Sequence, residues 1–249
     1  MKKVLEICVD SLASAWAAIA GGADRIELCS ALLAGGLTPY TQLLRQIKEE
    51  SAINIRCLMR PRPGDFLYTE EELEMTRRQI LELKEAGADG FVIGCLTPEG
   101  ELDTQAMKPL IEACGEKGIT LHRCIDVSRD PLQTYRDAAS LGIDTVLTSG
   151  GAASCILGAE AIGEMLSLRD EIEGPEVLIG AGVNAAVIRR FRAEYPEACA
   201  FHMSGKTERE SGMIFRRAGV PMGLPGLDEW HIQQTDPKAV RQARIALDQ

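Results

Sequence analysis

Two short apolar stretches of this 249-residue chain carry the same polar pattern. The first contains Glu6 and Cys8 and the second contains Glu27 and Cys29, with one residue between the members of each pair. Alternate residues of a β-strand point to the same face, so each stretch predicts a carboxylate and a thiol side by side. The repeated pattern favours a site in which two carboxylates move protons or two thiolates hold a soft metal ion.

Each pair also has a purely structural interpretation. An unpartnered carboxylate is costly to bury, so Arg60 or another cation could pair with Glu6 and Glu27 inside the fold. A free cysteine is often a small buried apolar residue with no further role. If the strand register brings Cys8 and Cys29 together, their thiolates would suit Cu(I). The spacing of these residues alone leaves these alternatives open.

The elements that would position these residues recur as an apolar strand followed by a helix. The predicted strands cover residues 4–8, 25–29, 53–60, 90–95, 119–124, 145–148, 177–180 and 199–204. Strict alternation of this kind is typical of a parallel sheet covered by helices. Eight units in this length predict the α/β class and a single (β/α)8 TIM barrel over residues 1–249, with an open doubly wound sheet as the alternative. A long loop over about 205–230 and a helix over 236–247 would complete the chain.

Several helix starts can be recognised from capping residues. Thr69 begins a Thr-Glu-Glu-Glu capping box, and Asn184 can cap the helix that follows it. Thr38 and Asp130 each precede a proline, which predicts a capped helix with proline at its first position.

In a β/α barrel the functional face lies at the carboxyl ends of the strands, so polar residues at those ends are the site candidates. His122 is followed four residues later by Asp126, and a histidine oriented by a carboxylate is a usual base. For an enzyme, the predicted acid/base and catalytic set is Glu6, Glu27, Arg60, His122 and Asp126.

Positive charge and short glycine loops gather at the same predicted face. Arginines follow the third and fifth strands, and glycines follow the last strands, where backbone amides of many barrels hold a phosphate. This combination favours a small anionic or phosphorylated ligand. The predicted ligand-binding residues are Arg62, Arg123, Ser149, Gly150, Gly182, His202 and Ser204.

The composition narrows the class of partner. A net charge of -10 disfavours a nucleic acid or an acidic membrane surface. The eight cysteines are dispersed without a C-x-x-C pair, and no signal peptide or long apolar run is recognisable. We therefore expect a cytoplasmic protein with reduced thiols. The glycine fingerprint of dinucleotide-binding folds is missing, and we predict no organic cofactor.

Taken together, the motifs resemble those of the CutC family, which is named for copper homeostasis. The stretches that carry the resemblance are Leu5-Glu6-Ile7-Cys8, residues 21–29, Gly35-Gly36-Leu37-Thr38-Pro39, Arg60-Pro61-Arg62, Gly64-Asp65-Phe66, Gly87-Ala88-Asp89-Gly90, His122-Arg123 with Asp126, Leu147-Thr148-Ser149-Gly150, His202 with Ser204, and Ser211-Gly212-Met213.

The resemblance implies a cytosolic β/α barrel that is often a homo-oligomer, for which we favour a dimer. It also implies that Cys8 and Cys29 are the Cu(I) ligands. We therefore predict a copper homeostasis protein that binds Cu(I) through paired thiolates. The alternative prediction is a barrel enzyme that acts on a small anionic or phosphorylated metabolite by acid/base chemistry.

Overall fold

Eight parallel strands close into a barrel in this computed structural model, which describes residues 3–220, 222 and 228–249. The barrel strands are β1 (Val4–Val9), β2 (Arg25–Leu28), β3 (Asn54–Leu58), β4 (Gly90–Ile93), β5 (Gly118–Leu121), β6 (Thr145–Thr148), β7 (Glu176–Ile179) and β8 (Ala200–Met203). The strands pair in chain order, and β1 pairs with β8 as well as with β2. The predicted (β/α)8 barrel is confirmed.

Helices alternate with the strands and cover the outside of the barrel. They are α1 (Leu12–Gly21), α2 (Thr41–Glu50), α3 (Glu70–Glu85), α4 (Thr104–Cys114), α5 (Pro131–Ser140), α6 (Ala159–Ile172), α7 (Ala185–Glu194) and α8 (Pro237–Asp248). Within the described residues, no helix combines the length and the apolar character needed to cross a bilayer.

Three of the predicted helix starts are confirmed, and one is wrong. Thr69 caps α3 through a reciprocal capping box, while Asp130 and Asn184 cap α5 and α7. Thr38 caps no helix, because α2 begins only at Thr41. Its hydroxyl instead accepts a hydrogen bond from the Arg60 amide at 3.0 Å. Thr38 therefore holds the first residues after β3 in place.

The predicted loop after β8 contains a strand. Lys206–Glu210 forms β9, which pairs in antiparallel fashion with β10 (His231–Thr235). All five residues of β9 are exposed, so its sequence lacks the apolar alternation that marks a half-buried strand. Residues 221 and 223–227 of the predicted loop lie outside the described residues.

The two faces of the barrel strands have different surroundings. Leu5, Ile7 and Val9 of β1 belong to the main core between the strands and the helices. The residues that alternate with them, such as Cys8, belong to a separate cluster that includes Cys29. Because side chains alternate along a strand, Glu6 and Cys8 share the face opposite to the main core, which is the barrel interior.

A buried arginine lies in the barrel interior near the amino ends of β4 and β5. Arg56 donates to the Thr120 hydroxyl at 2.6 Å and pairs with Asp144 at 2.7 Å. Glycines on the neighbouring strands make room for it, because a Cβ atom at Gly118 would lie 2.6 Å from the Arg56 guanidinium. The barrel interior is thus built around charged side chains as well as apolar ones.

Candidate functional site

A completely buried carboxylate lies in the barrel wall on β1. Arg25 of β2 donates to one oxygen of Glu6, and Nδ1 of His202 on β8 lies 2.8 Å from the other. Burial by itself would raise the pKa of Glu6, but the charge of Arg25 and the contact with His202 outweigh it and lower the pKa to about 2. Glu6 therefore stays ionised at neutral pH.

Arg25, rather than the predicted Arg60, is the cation that pairs with Glu6. The sequence contained a signal for this role, because Arg25 precedes Glu27 by two residues and so shares its strand face. Arg25 stands at the beginning of β2, away from the strand ends that carry the predicted site residues.

His202 and Glu27 form the second part of this buried network. The Nε2 atom of His202 lies 3.8 Å from a carboxylate oxygen of Glu27. Burial acts to lower the pKa of His202, but the neighbouring Cys8 and Glu27 raise it well above its usual value. Burial is also the main cause that raises the pKa of Glu27, to about 7. A general acid or base works best when its pKa lies near the working pH, and the pKa of Glu27 meets this requirement at neutral pH.

Three potential metal ligands converge at the same place. The Cys8 sulfur, a Glu27 carboxylate oxygen and a His202 ring nitrogen all lie within 4.8 Å of one another. Cys29 is not part of this group, and its thiol donates to the Val9 carbonyl at 3.3 Å. Burial raises the pKa of Cys29 well above its usual value, so Cys29 is a neutral thiol. The geometry thus pairs Cys8 with Glu27 and His202.

A cavity of about 520 Å³ opens over this network at the carboxyl ends of the strands. It brings together most of the predicted site residues. Those that line it are Cys8, Glu27, Arg60, His122, Arg123, Asp126, Gly182, His202 and Ser204. A larger cavity of about 820 Å³ lies beside β9 and β10, and Ser204 is the one predicted site residue in its lining.

Comparisons with known proteins assign the chain to a family. The model of the CutC family matches residues 3–206. A CutC family protein of Xanthomonas campestris is 44% identical over 202 residues, which cover 81% of this chain and 83% of the relative. The copper homeostasis protein cutC homologue of Mus musculus is 38% identical over 240 residues, covering 96% of this chain and 87% of the relative. The chain belongs to the CutC family.

Solved structures agree with this assignment. A protein described as the copper homeostasis protein CutC of Streptococcus agalactiae has a TM-score of 0.76 at 25% identity and covers 81% of this chain and 98% of its own. Phosphoribosyl anthranilate isomerase of Thermotoga maritima has a TM-score of 0.57 at 11% identity and covers 100% of this chain and 99% of its own. The second likeness shows the barrel fold alone.

The predicted orientation of His122 by Asp126 is wrong for this CutC family member. Asp126 accepts hydrogen bonds from the Thr148 hydroxyl at 2.6 Å and the Ser149 amide at 3.0 Å, and it pairs with Arg123 at 2.7 Å. His122 instead uses Nδ1 to accept from the Cys124 amide at 3.2 Å. Asp126 therefore organises the loop after β6, because its carboxylate is within reach of the amides that begin that loop.

Other predicted ligand-binding residues do not line the cavity. Arg62 pairs with Glu72 at 2.7 Å on the outer side of its loop. The Ser149 hydroxyl donates to the Ala152 carbonyl, and the Gly150 amide donates to the Thr148 hydroxyl. These groups satisfy local backbone and side-chain partners, which sequence spacing could not reveal.

The loop after β7 contributes residues 181–183 to the lining of the cavity. Ala181 and Gly182 line the cavity with φ angles of 70° and 82°, a conformation that glycine adopts without strain and alanine rarely adopts. The hydrogen bonds within the described residues use none of the amides of residues 181–183. These amides are therefore unpaired in the described part of the chain, and binding of an anionic group at Gly182 stays a prediction.

We predict that His122 makes the stability of the protein depend on pH. Burial, followed by the charge of Arg60, lowers the pKa of His122 from 6.5 to about 3. As the pH falls below 6.5, the unfolded chain binds a proton that the folded protein refuses, so the free energy of unfolding decreases. The loss in free energy of unfolding that is due to His122 approaches about 1.4 kcal/mol for each pH unit. Urea denaturation between pH 7.5 and 5 should show a shallower pH dependence for His122→Gln than for the wild type, and equal slopes would contradict this assignment.

Proposed function

We propose that this CutC family protein serves copper homeostasis by binding Cu(I) at Cys8 and His202, with Glu27 beside them. The observation that carries the proposal is the convergence of the three side chains within 4.8 Å at the floor of a cavity. Thiolate and imidazole are ligands that suit Cu(I), whereas a carboxylate oxygen is a harder donor. Glu27 would therefore contribute chiefly negative charge.

The surroundings of His202 support a role as a metal ligand. Its Nδ1 atom faces the ionised Glu6, and its Nε2 atom faces Glu27. A carboxylate that accepts from one ring nitrogen orients the ring so that the other nitrogen can face a metal, an arrangement common in metalloproteins. Because the pKa of His202 is raised, a metal at Nε2 would displace the proton held there. Glu6 and Arg25 would then orient His202 from outside the ligand set. Cys29 keeps its hydrogen bond to Val9 in this proposal, in contrast to the paired-thiolate prediction.

We predict that Cys8→Ser weakens Cu(I) binding far more than Cys29→Ser does. Loss of an outer partner such as Glu6, tested by Glu6→Gln, should cost about 10–100-fold in affinity. Loss of the Cys8 ligand should exceed that factor, because serine offers no soft donor. Affinities are measured under anaerobic conditions by competition with a Cu(I) chelator. Cys114→Ser in α4 controls for the loss of any buried thiol.

The relative effects of the two thiols decide between the ligand sets. Equal losses in Cys8→Ser and Cys29→Ser would support paired thiolates and reject His202 as the second ligand. Wild-type affinity in Cys8→Ser would reject the copper site altogether.

We infer a second candidate function, which is enzymatic proton transfer on a small anionic compound. The observation that favours it is Glu27, a buried carboxyl with a pKa of about 7 that lines the cavity together with Arg60. A carboxyl of this kind can take a proton from a bound compound and return it at neutral pH. A protein that only stores a metal ion does not require an arginine such as Arg60, or unpaired backbone amides, around the same cavity.

We predict that the protein catalyses exchange of activated carbon-bound protons with solvent in a small anionic carbonyl compound. Glu27 would accept the proton and return a deuteron from the solvent. Proton NMR in D2O follows the loss of the signal across a panel of such compounds. Glu27→Gln should slow the exchange about 100-fold or more, whereas the exposed Glu99→Gln should not change it. Absence of exchange across the panel would remove this function.

We also propose a cytoplasmic location and self-association as a homodimer. All eight cysteines are free and buried, which fits a reducing compartment. The segment after β9 exposes Met213, Ile214 and Phe215, and exposed apolar surface of this kind is typical of protein interfaces.

We predict that the dimer dissociates when charge is placed in this segment. The Ile214 side chain is fully exposed, so Ile214→Asp should leave the fold intact while disfavouring burial in an interface. Sedimentation velocity should then report a dimer for the wild type and a monomer for the variant, with the exposed Leu157→Asp as the control. A monomeric wild type would contradict the proposed dimer.

A further inference from the structure

Two buried N–H donors beside the cavity have no partner among the described residues. They are Nε of Arg60 and Nε2 of His122. Arg60 uses its other nitrogens to donate to the carbonyls of Ala34, Gly36 and Gly64 at distances of 2.9–3.3 Å. These carbonyls anchor the guanidinium without neutralising its charge. A buried donor without an acceptor costs free energy. Two such donors in residues that line a cavity therefore indicate a ligand whose acceptor atoms would pair with them.

The hydrogen bonding of His122 identifies its free nitrogen as a donor. Nδ1 accepts from the Cys124 amide, so Nδ1 carries a lone pair. A neutral ring then carries its proton on Nε2. Burial and the charge of Arg60 keep the pKa of His122 low, at about 3, and the ring is neutral at physiological pH. His122 thus offers an N–H group and no positive charge.

The ring of Phe66 packs against both of these residues. Its centroid lies 4.7 Å from that of the His122 ring and 5.2 Å from Cζ of Arg60. All three side chains line the cavity that also contains Cys8, Glu27 and His202. Arg60 and His122 thus line one cavity and share one apolar neighbour.

We propose that Arg60 and His122 form a binding subsite for the carboxylate group of a small monoanionic ligand. The proposal rests on the second candidate function and names its substrate class. One oxygen or both oxygens of the carboxylate would accept from Arg60 Nε–H and His122 Nε2–H. The rest of the ligand would occupy the cavity above Glu27 and His202. Since both free nitrogens are shielded from solvent, the side chains around them must shift before a ligand can reach them.

The charge of the subsite favours a carboxylate over a phosphate dianion. Arg60 supplies one positive charge, while His122 is neutral. Arg123 also lines the cavity, but Asp126 pairs with it at 2.7 Å. Lys206 stands exposed at the mouth, where solvent screens its charge. A monoanion balances the charge of Arg60, whereas a dianion would add a second negative charge near Glu27.

The test is isothermal titration of the metal-free full chain with pyruvate and, separately, with inorganic phosphate. Pyruvate should bind to saturation, and Arg60→Gln should weaken its binding about 10–100-fold, the range for a hydrogen bond to a charged group. His122→Leu should weaken binding by a smaller factor. Arg78→Gln, an exposed arginine of α3, is the matched control and should bind pyruvate like the wild type.

Nitrogen-15 NMR of the histidine side chains tests the role of His122 in the wild-type protein, so the test does not depend on whether His122→Leu folds. In the wild type, the His122 Nε2–H signal should shift as pyruvate saturates the site. No saturable binding of pyruvate, equal binding by the Arg60→Gln and Arg78→Gln variants, or an unchanged His122 signal would overturn the subsite. Preferential, Arg60-dependent binding of phosphate would overturn the carboxylate class while leaving the second candidate function standing. Glu27-dependent proton exchange in a compound without a carboxylate would likewise overturn the carboxylate class and leave the second candidate function standing.

Discussion

The buried carboxylate of Glu6 is the constraint on which the rest of the site depends. Taking such a group out of water costs several kcal/mol unless opposite charge and hydrogen bonds accompany it. Arg25 and His202 supply both, and they do so from the two strands that flank β1 in the closed barrel. The ion network therefore ties β8 to β2 across β1 at the point where the barrel closes. Removing Glu6 would take away the carboxylate that both Arg25 and His202 contact.

The same network decides what the cavity floor can do. Because Glu6 engages Nδ1 of His202, the Nε2 atom is left to face Cys8 and Glu27. Burial raises the pKa of Glu27 towards neutrality, while the neighbouring charges hold the pKa of Glu6 near 2. Two carboxylates from adjacent strands thus differ in pKa, and the Cys8 thiol lies beside Glu27. The proposed metal site and the proposed proton transfer would both use this place.

The opposite wall of the cavity has a different character. Arg60 is anchored by backbone carbonyls, and its backbone is held by Thr38, so its guanidinium is rigid and unneutralised. His122 is neutral, and its Nε2 atom has no hydrogen-bond partner among the described residues. The proposed enzymatic function would use both this wall and the cavity floor, whereas the proposed copper site would use the floor alone. The two candidate functions therefore depend on different residues.

The sequence by itself determined the barrel, because eight apolar strands alternating with capped helices leave few other ways to bury their surface. It also placed Glu6, Glu27, His122, His202 and Arg60 near one another, because strand ends of a barrel share one face. Only the tertiary structure decided the partners. Arg25 pairs with Glu6 because of the register between β1 and β2. Asp126 contacts the loop after β6 rather than His122 because of the path of that loop. Neither the register nor the loop path can be read from the spacing of residues in the sequence. The convergence of Cys8 with His202 has the same cause, since β8 meets β1 only when the barrel closes.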